Sequence, residues 1–258
     1  MGGDKKVSHY GVGSSEGGII TVDAIIKKIN EIDWKGIANR IHKHGYAIVP
    51  DFLSDNHCGS LIGLYHNTEG YRKKVVMERY RFGLGEYKYF DYPLPDIVQT
   101  IRENLYPPLV PIAKQWMQML SIDKSFPESL EKLQKECHSN NQLKSTPLLL
   151  KYGVGGFNTL HQDLYGDIYF PLQAVFMLNE PNVDYTGGEL VLTQQIPRTQ
   201  SKAIVLTPQR GDMVILTTHF KPAKGAKGYH RVNMKHGVSE VHSGERHTLG
   251  VIFHDAKS

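Results

Sequence analysis

Two residues of types that bind metal ions stand two positions apart, at His161 and Asp163. They follow Gly155-Gly156 in a segment with the pattern of a strand and a turn, and side chains at i and i+2 of an extended chain project to the same face. An imidazole and a carboxylate that converge in this way suit a divalent first-row metal. A second histidine from elsewhere in the chain would complete a facial triad and leave three coordination positions open.

The surroundings of His236 make it the predicted third ligand. It opens the segment from His236 to Val241, which is followed by the turn Ser243-Gly244-Glu245 and by a strand-like run that begins at Arg246. This pattern predicts an antiparallel hairpin at the C-terminal edge of the β-structure.

Arg246 and Thr248 are predicted to share one face of that last strand. Arg246 follows His236 by ten residues. A planar guanidinium beside a hydroxyl can hold the far carboxylate of a dicarboxylate through bidentate, charge-assisted hydrogen bonds. The sequence therefore predicts an anion clamp next to the metal site.

Two other histidines are alternative third ligands. His219 and His230 flank the Lys/Gly-rich segment from Lys221 to Gly228, which we predict to be a loop. Neither leads into a strand or has an arginine at the offset seen after His236. We therefore prefer His236.

The elements that must position these residues change in character near Ser145. Before it, apolar residues at three- and four-residue steps predict helices, with a short strand from Tyr46 to Pro50 after a helix end at Gly45. The predicted helices cover 22–41 with a break near Asp33-Trp34, 54–66, 96–120 with an interruption at Pro107-Pro108, and 128–137.

After Ser145 the chain consists of short strand-like runs separated by turn residues: 148–152, 168–178, 189–193, 203–207, 212–218, 238–242 and 247–253. Such runs without intervening helices favour a β-sandwich or jelly roll. We predict a mainly β protein with α, in which residues 146–258 form a jelly-roll core. A helical N-terminal region, residues 21–145, is predicted to pack on this core as one folding unit. Residues 1–20 are predicted to be a flexible leader.

The bulk composition excludes several classes of protein. The chain has 258 residues, of which 40% are hydrophobic and 22% charged, as in ordinary globular proteins. It has no apolar run long enough to span a membrane and no secretory signal pattern. Its two cysteines, Cys58 and Cys137, are far apart, which predicts free thiols and a cytoplasmic protein. The net charge of +4 permits an acidic partner without requiring one.

The segment from Leu148 to Phe253 resembles the double-stranded β-helix core of the Fe(II)/2-oxoglutarate oxygenases, and their prolyl-hydroxylase-like branch in particular. Tyr152-Gly153-Val154-Gly155 before His161-Gln162-Asp163 is similar to that branch's Tyr-x-x-Gly segment before His-x-Asp. Gly187-Gly188-Glu189-Leu190 resembles its Gly-Gly-Glu turn into a core strand, and the stretch from Pro208 to Asp212 resembles its Pro-x-x-Gly-Asp loop.

This resemblance implies an enzyme with a defined set of cofactors. His161, Asp163 and His236 would bind Fe(II), and 2-oxoglutarate would chelate the iron while Arg246, Thr248 and Tyr152 hold its distal carboxylate. With O2, and with ascorbate as a reductant, the enzyme would hydroxylate a C–H bond of a protein side chain or small metabolite and convert 2-oxoglutarate to succinate.

Two alternatives stay open from the sequence. The first is oxidative demethylation of nucleic acid in the manner of AlkB-type enzymes, whose extra arginine on the last strand has no counterpart from Leu249 to Ser258. That difference favours a protein or small-molecule substrate. The second is a cupin-like module that binds a ligand or metal without turnover, against which the complete set of ligands and the anchoring Arg246 argue.

Substrate contacts are predicted in two places. The segment from Arg79 to Phe90 interleaves cations and aromatic residues around two glycines, which is typical of an active-site lid or of a packed aromatic stretch; Phe82 and Tyr87 are its candidate contacts. Arg231 and Asn233 alternate just before His236 and are candidates to line the mouth of the site.

Overall fold

The structure of the protein is a computed structural model that describes residues 22–196 and 198–257. The leader predicted for residues 1–20 lies outside the described residues. Within them, no helix is both long enough and apolar enough to cross a membrane.

Five helices precede the main β-structure: α1 (Val22–Glu31), α2 (Trp34–His44), α3 (Asp55–Tyr65), α4 (Asp96–Met119) and α5 (Leu130–Ser139). The break between α1 and α2 is where the sequence predicted it, because Asp33 accepts a hydrogen bond from the Gly36 amide (3.0 Å) and caps α2. Gly45 ends α2 in the left-handed conformation, with φ of 83°.

The interruption predicted at Pro107-Pro108 is wrong, since α4 continues through both prolines for 24 residues. Proline removes a backbone donor, which ordinarily breaks or kinks a helix. Here the neighbouring side chains of Leu105, Tyr106 and Leu109 are completely buried. Their packing holds the helix together where its own hydrogen bonds cannot.

The strands are β1 (Tyr46–Val49), β2 (Tyr71–Val76), β3 (Gly83–Leu84), β4 (Glu86–Phe90), β5 (Leu148–Tyr152), β6 (Phe157–His161), β7 (Leu172–Met177), β8 (Tyr185–Gly187), β9 (Leu190–Gln195), β10 (Lys202–Leu206), β11 (Met213–Thr217), β12 (Phe220–Gly225), β13 (Gly228–Val238), β14 (Val241–Gly244) and β15 (Arg246–Ile252). One sheet has seven strands in the order β1-β11-β7-β15-β5-β4-β2. A second has the order β10-β9-β13-β6-β3, with β12 on β13, and β14 pairs with β8. The result is a mixed α/β protein with mainly antiparallel sheets, consistent with a jelly roll.

The N-terminal region is less purely helical than the sequence suggested. Strands β1, β2 and β4 extend the seven-stranded sheet at its two ends, and β3 is the edge of the second sheet. The lid candidate, residues 79–90, is part of this pairing: Gly83 and Leu84 pair with β6, and Glu86–Phe90 pairs with both β2 and β5. The sequence did not predict these strands, because apolar and polar residues do not alternate along them. Both faces carry aromatic or long charged side chains.

The hairpin predicted around residues 243–245 is wrong. Strand β13, which carries His236, pairs with β9 and β6 in one sheet, whereas β15, which begins at Arg246, pairs with β5 and β7 in the other. Strand β14 lies between them and pairs with β8, so the chain crosses from one sheet to the other. His236 and Arg246 therefore face each other across the space between two sheets.

The loop predicted from Lys221 to Gly228 is also wrong, because β12 and β13 form a hairpin there. Gly225 and Gly228 pair at its end, and the positive φ of Gly228 (113°) permits the tight turn. Lysine and glycine are poor strand formers, and cross-strand pairing overrides that local preference.

The main core lies between the helices and the seven-stranded sheet. Tyr106 of α4 packs on Phe170 with ring centroids 4.8 Å apart, and Phe170 contacts Phe253 beyond the end of β15. Arg102 of α4 forms an ion pair with Asp255 (2.7 Å), and both side chains are 0% exposed. The helical layer thereby fixes the sheet whose other face lines the functional site.

Candidate metal and cosubstrate site

His161 and His236 are brought together by strand pairing. They are register partners across β6 and β13, and their ring centroids are 4.3 Å apart. The pairing is irregular between His236 and Val238, where Gly237 lies against β6. A Cβ atom on Gly237 would be 2.6 Å from the Asn158 carbonyl oxygen, so only glycine permits this close approach.

Asp163 completes a compact group of three donors. Its backbone amide donates to the Thr218 carbonyl (3.2 Å), which holds the turn after β6. Its carboxylate oxygens lie 3.1 Å from His236 Nε2 and 3.7 Å from His161 Nε2. One donor atom from each of the three residues lies within 4.8 Å of the other two, so a single ion could bind all three.

The protonation of the group fits a divalent cation. His161 Nδ1 lies 2.7 Å from the Thr159 carbonyl, an acceptor, which places the proton on Nδ1 and leaves the Nε2 lone pair free. Burial, aided by His236, lowers the pKa of His161. Burial acts to raise the pKa of Asp163, but the attraction of the two imidazoles outweighs it and the pKa is lowered. The set therefore presents a neutral His161 imidazole and an anionic carboxylate, ligand types that suit a first-row metal.

The alternative third ligands lie elsewhere. In residues 22–196 and 198–257, the metal-type group near Asp163 contains neither His219 nor His230. His219 Nδ1 is 3.1 Å from the Thr218 hydroxyl, and its ring packs edge-on against Tyr169 at 5.0 Å. His219 is thus a packed histidine beside the turn that positions Asp163.

Arg246 is a buried cation that forms no ion pair with any residue in 22–196 or 198–257. Its Cζ lies 5.6 Å from the ring centre of Tyr152 and 6.0 Å from that of Tyr185, and Nη2 is 3.7 Å from the sulfur of Met177. Among the described residues, Nε and Nη1 have no hydrogen-bond partner. An unpaired buried charge is costly, so this arrangement suits a site that an anion fills.

Tyr152 and Thr248 line the same cavity as Arg246. Tyr152 is the register partner of Arg246 across β5 and β15. Its hydroxyl accepts a hydrogen bond from Asn158 Nδ2 (3.3 Å), and burial raises its pKa to about 12, so it stays a neutral donor. Thr248 and Arg246 both line a cavity between the two sheets, which also contains the three metal-type residues.

The turn at Gly187-Gly188 shapes the space around Arg246. Both glycines have positive φ, 71° and 62°. A Cβ atom on Gly188 would lie 3.0 Å from Arg246 Cδ and 2.9 Å from a methyl group of Val241. Glycine is therefore required at position 188 by both the backbone and the arginine.

A second cavity adjoins the first at His161 and Asp163. Phe82 and Tyr87 line it, as the sequence proposed for substrate contacts. The other aromatic walls are Tyr89 and Tyr165. An aromatic pocket that opens beside three clustered donors can hold an apolar or planar group next to a bound metal.

Arg231 and Asn233 are not brought to either cavity. They alternate along β13 with the buried residues Val232 and Met234, and their own side chains are exposed on the opposite face. Arg231 lies over the ring of Phe220, 4.8 Å from its centre. Only a substrate that extends over this outer face could contact them.

Sequence reasoning missed three residues of the site. Tyr165 donates a hydrogen bond to Asp163 Oδ1 (2.8 Å), and its own hydroxyl accepts one from Tyr89 (3.3 Å). Asn158 lines both cavities. The third missed residue is Tyr185, whose ring centre lies 6.0 Å from Arg246 Cζ. The position of Tyr165, two residues after Asp163, could have predicted its contact with the carboxylate. Asn158 and Tyr185 could not be predicted, because pairing between distant strands places them.

The sequence of this chain is similar to those of known proteins. A family model described as "Oxygenase, catalysing oxidative methylation of damaged DNA" matches residues 85–256. Two uncharacterised proteins from strains of Mycobacterium tuberculosis are each 42% identical over 167 residues, which cover 65% of this chain and 72% of theirs.

The solved structures similar to this chain include prolyl hydroxylases. A prolyl-4-hydroxylase of Pseudomonas putida is 15% identical with a TM-score of 0.50, over 86% of this chain and 98% of that one. A prolyl hydroxylase of Trichoplax adhaerens, solved with a hypoxia inducible factor peptide fragment, is 14% identical with a TM-score of 0.50, over 89% and 91%. These likenesses establish the fold.

Proposed function

We propose, given that this chain belongs to the Oxygenase-NA family of Fe(II)/2-oxoglutarate oxygenases, that it is a dioxygenase which hydroxylates a C–H bond of a substrate held in the aromatic cavity. The observation that carries the proposal is the convergence of His161, Asp163 and His236 next to the unpaired guanidinium of Arg246. A metal centre and an anion clamp in one cavity are what this reaction needs.

His161, Asp163 and His236 would hold Fe(II) through two imidazole nitrogens and one carboxylate oxygen, which leaves three coordination positions open. When bound, the iron activates O2 while 2-oxoglutarate supplies two electrons and is decarboxylated to succinate. In the balanced reaction CO2 would be released, one oxygen atom would enter succinate, and the other would convert a substrate C–H bond to C–OH. The protein orients the reactants and keeps the site dry.

Arg246, Thr248 and Tyr152 would hold the distal carboxylate of 2-oxoglutarate. The guanidinium has two free donor groups, and the neutral Tyr152 hydroxyl has a proton to donate. Charge-assisted hydrogen bonds to a buried guanidinium are short and strong. Asn158 and Tyr185 lie close enough to this group to help position it.

The substrate class has two candidates. The anchoring arginine and the prolyl-hydroxylase-like fold favour a protein side chain or a small metabolite. The family, however, is described as acting on damaged DNA, and hydroxylation of an N-methyl group gives an unstable N–CH2OH product that releases formaldehyde. The same C–H chemistry thus serves both, and only the group presented in the aromatic cavity differs.

Succinate formation tests the proposal. Protein supplied with Fe(II), ascorbate to keep the iron reduced, and 2-oxoglutarate should form succinate slowly even without substrate. Asp163→Ala should lose bound iron and succinate formation while its circular dichroism spectrum is unchanged. Asp167→Ala is the matched control, because Asp167 is an exposed carboxylate nearby that pairs with Lys257 (2.6 Å).

Two results would contradict the proposal. A wild-type protein that binds neither iron nor 2-oxoglutarate would remove the site altogether. A protein that binds both without forming succinate would be a cupin-like binding module.

A further inference from the structure

We propose that the exposed aromatic pair Tyr80–Phe82 is a fixed platform on which a base of single-stranded DNA stacks at the entrance to the aromatic cavity. The inference rests on the proposed function and adds a docking surface and a partner to it. The aromatic platform is defined here as these two side chains.

The rings of the platform are open to solvent and already stacked. Tyr80 is 53% exposed and Phe82 is 44% exposed. Their centroids are 5.5 Å apart and their planes differ by 19°. Two large parallel rings held together at the surface present a flat apolar face, which is a feature of binding sites for planar groups.

The platform is fixed to the strand that carries His161. The Phe82 carbonyl accepts hydrogen bonds from both the amide and the hydroxyl of Thr159, each 2.9 Å long. The Phe82 amide donates to the Met77 carbonyl (3.1 Å). A Cβ atom on Gly83 would be only 2.2 Å from the Phe157 carbonyl oxygen of β6, so the backbone at Gly83 packs directly against that strand. This anchoring favours a rigid platform over a hinged lid.

The position of the platform connects the surface with the reacting centre. Phe82 lines the aromatic cavity that also contains His161 and Asp163. Phe82 therefore links the platform to this cavity, and Tyr80, stacked on Phe82, extends the apolar surface. A base that stacks on the platform would lie beside the cavity that contains the two donors.

The charges around the platform favour a nucleic acid. Arg79 and Arg81 flank Tyr80, are exposed, and form no ion pair within the part of the chain that the structure describes. Two acidic residues lie nearby: Glu78 is exposed and accepts a hydrogen bond from the Gly85 amide (3.4 Å), and Glu86 is paired with Lys74 (2.6 Å). Aromatic rings that stack on bases, interleaved with cations that contact phosphates, are how proteins hold single strands.

A single strand fits this surface better than a duplex. A base must leave the helical stack before an enzyme can act on it inside a pocket, and an unpaired base does so at least cost. Phe82 of the platform and the donors His161 and Asp163 line one cavity, into which a single unpaired base could enter.

Fluorescence anisotropy with a labelled single-stranded oligodeoxynucleotide tests the platform. Tyr80→Ala should weaken binding about 5- to 150-fold, since stacking of one base on an aromatic ring contributes about 1–3 kcal/mol. Arg81→Gln should reduce the slope of log affinity against log salt by about 0.7, the value for one phosphate contact of a single strand. Tyr229→Ala is the matched control, because Tyr229 is likewise an exposed tyrosine (44%) but lies on the β12–β13 hairpin.

The platform is refuted if Tyr80→Ala binds the oligonucleotide as tightly as wild type, if Tyr229→Ala weakens binding equally, or if the duplex of the same sequence binds more tightly. Unchanged thermal unfolding of Tyr80→Ala would show that its loss of binding is local. Succinate formation by the wild-type protein without DNA reports separately on the proposed function. If succinate forms and the oligonucleotide does not bind, the platform fails while the oxygenase assignment stands.

Discussion

The hydrogen bond from Tyr165 to Asp163 should set the metal affinity of the site. Tyr165 donates to Asp163 Oδ1 (2.8 Å), and the other carboxylate oxygen faces His236 Nε2 at 3.1 Å. With Oδ1 occupied, Oδ2 is the oxygen presented to a metal. Burial and the charge of Asp163 raise the pKa of Tyr165 well above its usual value, so its hydroxyl keeps the proton that it donates.

Tyr165→Phe removes this hydrogen bond and also the acceptor of the Tyr89 hydroxyl, whose separate effect the Tyr89→Phe control measures. A hydrogen bond to a charged group contributes about 1.5–3 kcal/mol, which corresponds to roughly 10- to 150-fold in an equilibrium constant. Loss of a group that orients a metal ligand has a similar effect on metal affinity, about 10- to 100-fold. We therefore expect Tyr165→Phe to bind Fe(II), or Co(II) used in its place, about 10- to 100-fold more weakly at neutral pH.

The assay is a calorimetric or absorbance titration of metal-free protein, with circular dichroism as a check on folding. Tyr89→Phe is the control, since it deletes only the bond from Tyr89 to the Tyr165 hydroxyl (3.3 Å), one step further from the metal. Its affinity for metal should change by less than about threefold, because a bond between neutral groups contributes only about 0.5–1.5 kcal/mol and acts here through a second residue. Equal metal affinity of Tyr165→Phe and wild type, or a larger loss in Tyr89→Phe, would refute the reasoning.

Three further substitutions give distinct readouts. Arg246→Met should abolish measurable 2-oxoglutarate binding in a calorimetric titration. Because it removes a buried unpaired cation, it should also raise the free energy of unfolding of the cosubstrate-free protein by about 1–4 kcal/mol. A destabilised variant would contradict this expectation. Gly188→Ala should weaken 2-oxoglutarate binding by displacing Arg246, and an unchanged affinity would show that the arginine can shift freely. Asp255→Ala should lower the free energy of unfolding in urea by about 3–5 kcal/mol, because it leaves the buried Arg102 without its ion-pair partner. His138→Ala removes only the half-exposed partner of Asp255 and should lower the free energy of unfolding by less than about 1 kcal/mol.

The sequence was most informative where chemistry and local geometry coincide. His161 and Asp163 are two residues apart, so an extended backbone alone brings them to one face. The helix ends at Asp33 and Gly45 were also readable, because capping depends on side-chain oxygens and on left-handed φ values that few residues adopt. The choice of His236 came from a nearby arginine, and the structure does bring His236 to the other two donors.

Tertiary structure decided what depends on pairing between distant strands. The sequence placed His236 and Arg246 on one hairpin, whereas the structure puts them on two facing sheets, and that separation creates the cavity between them. Helix α4 passes through Pro107-Pro108 because buried neighbours hold it. The aromatic segment before β5 forms β3 in the second sheet and β4 in the seven-stranded sheet. The partner strands fix this pairing, and local propensity does not. The sequence by itself thus determined which groups can bind a metal, and the pairing of strands decided which space they share with the guanidinium and the aromatic rings.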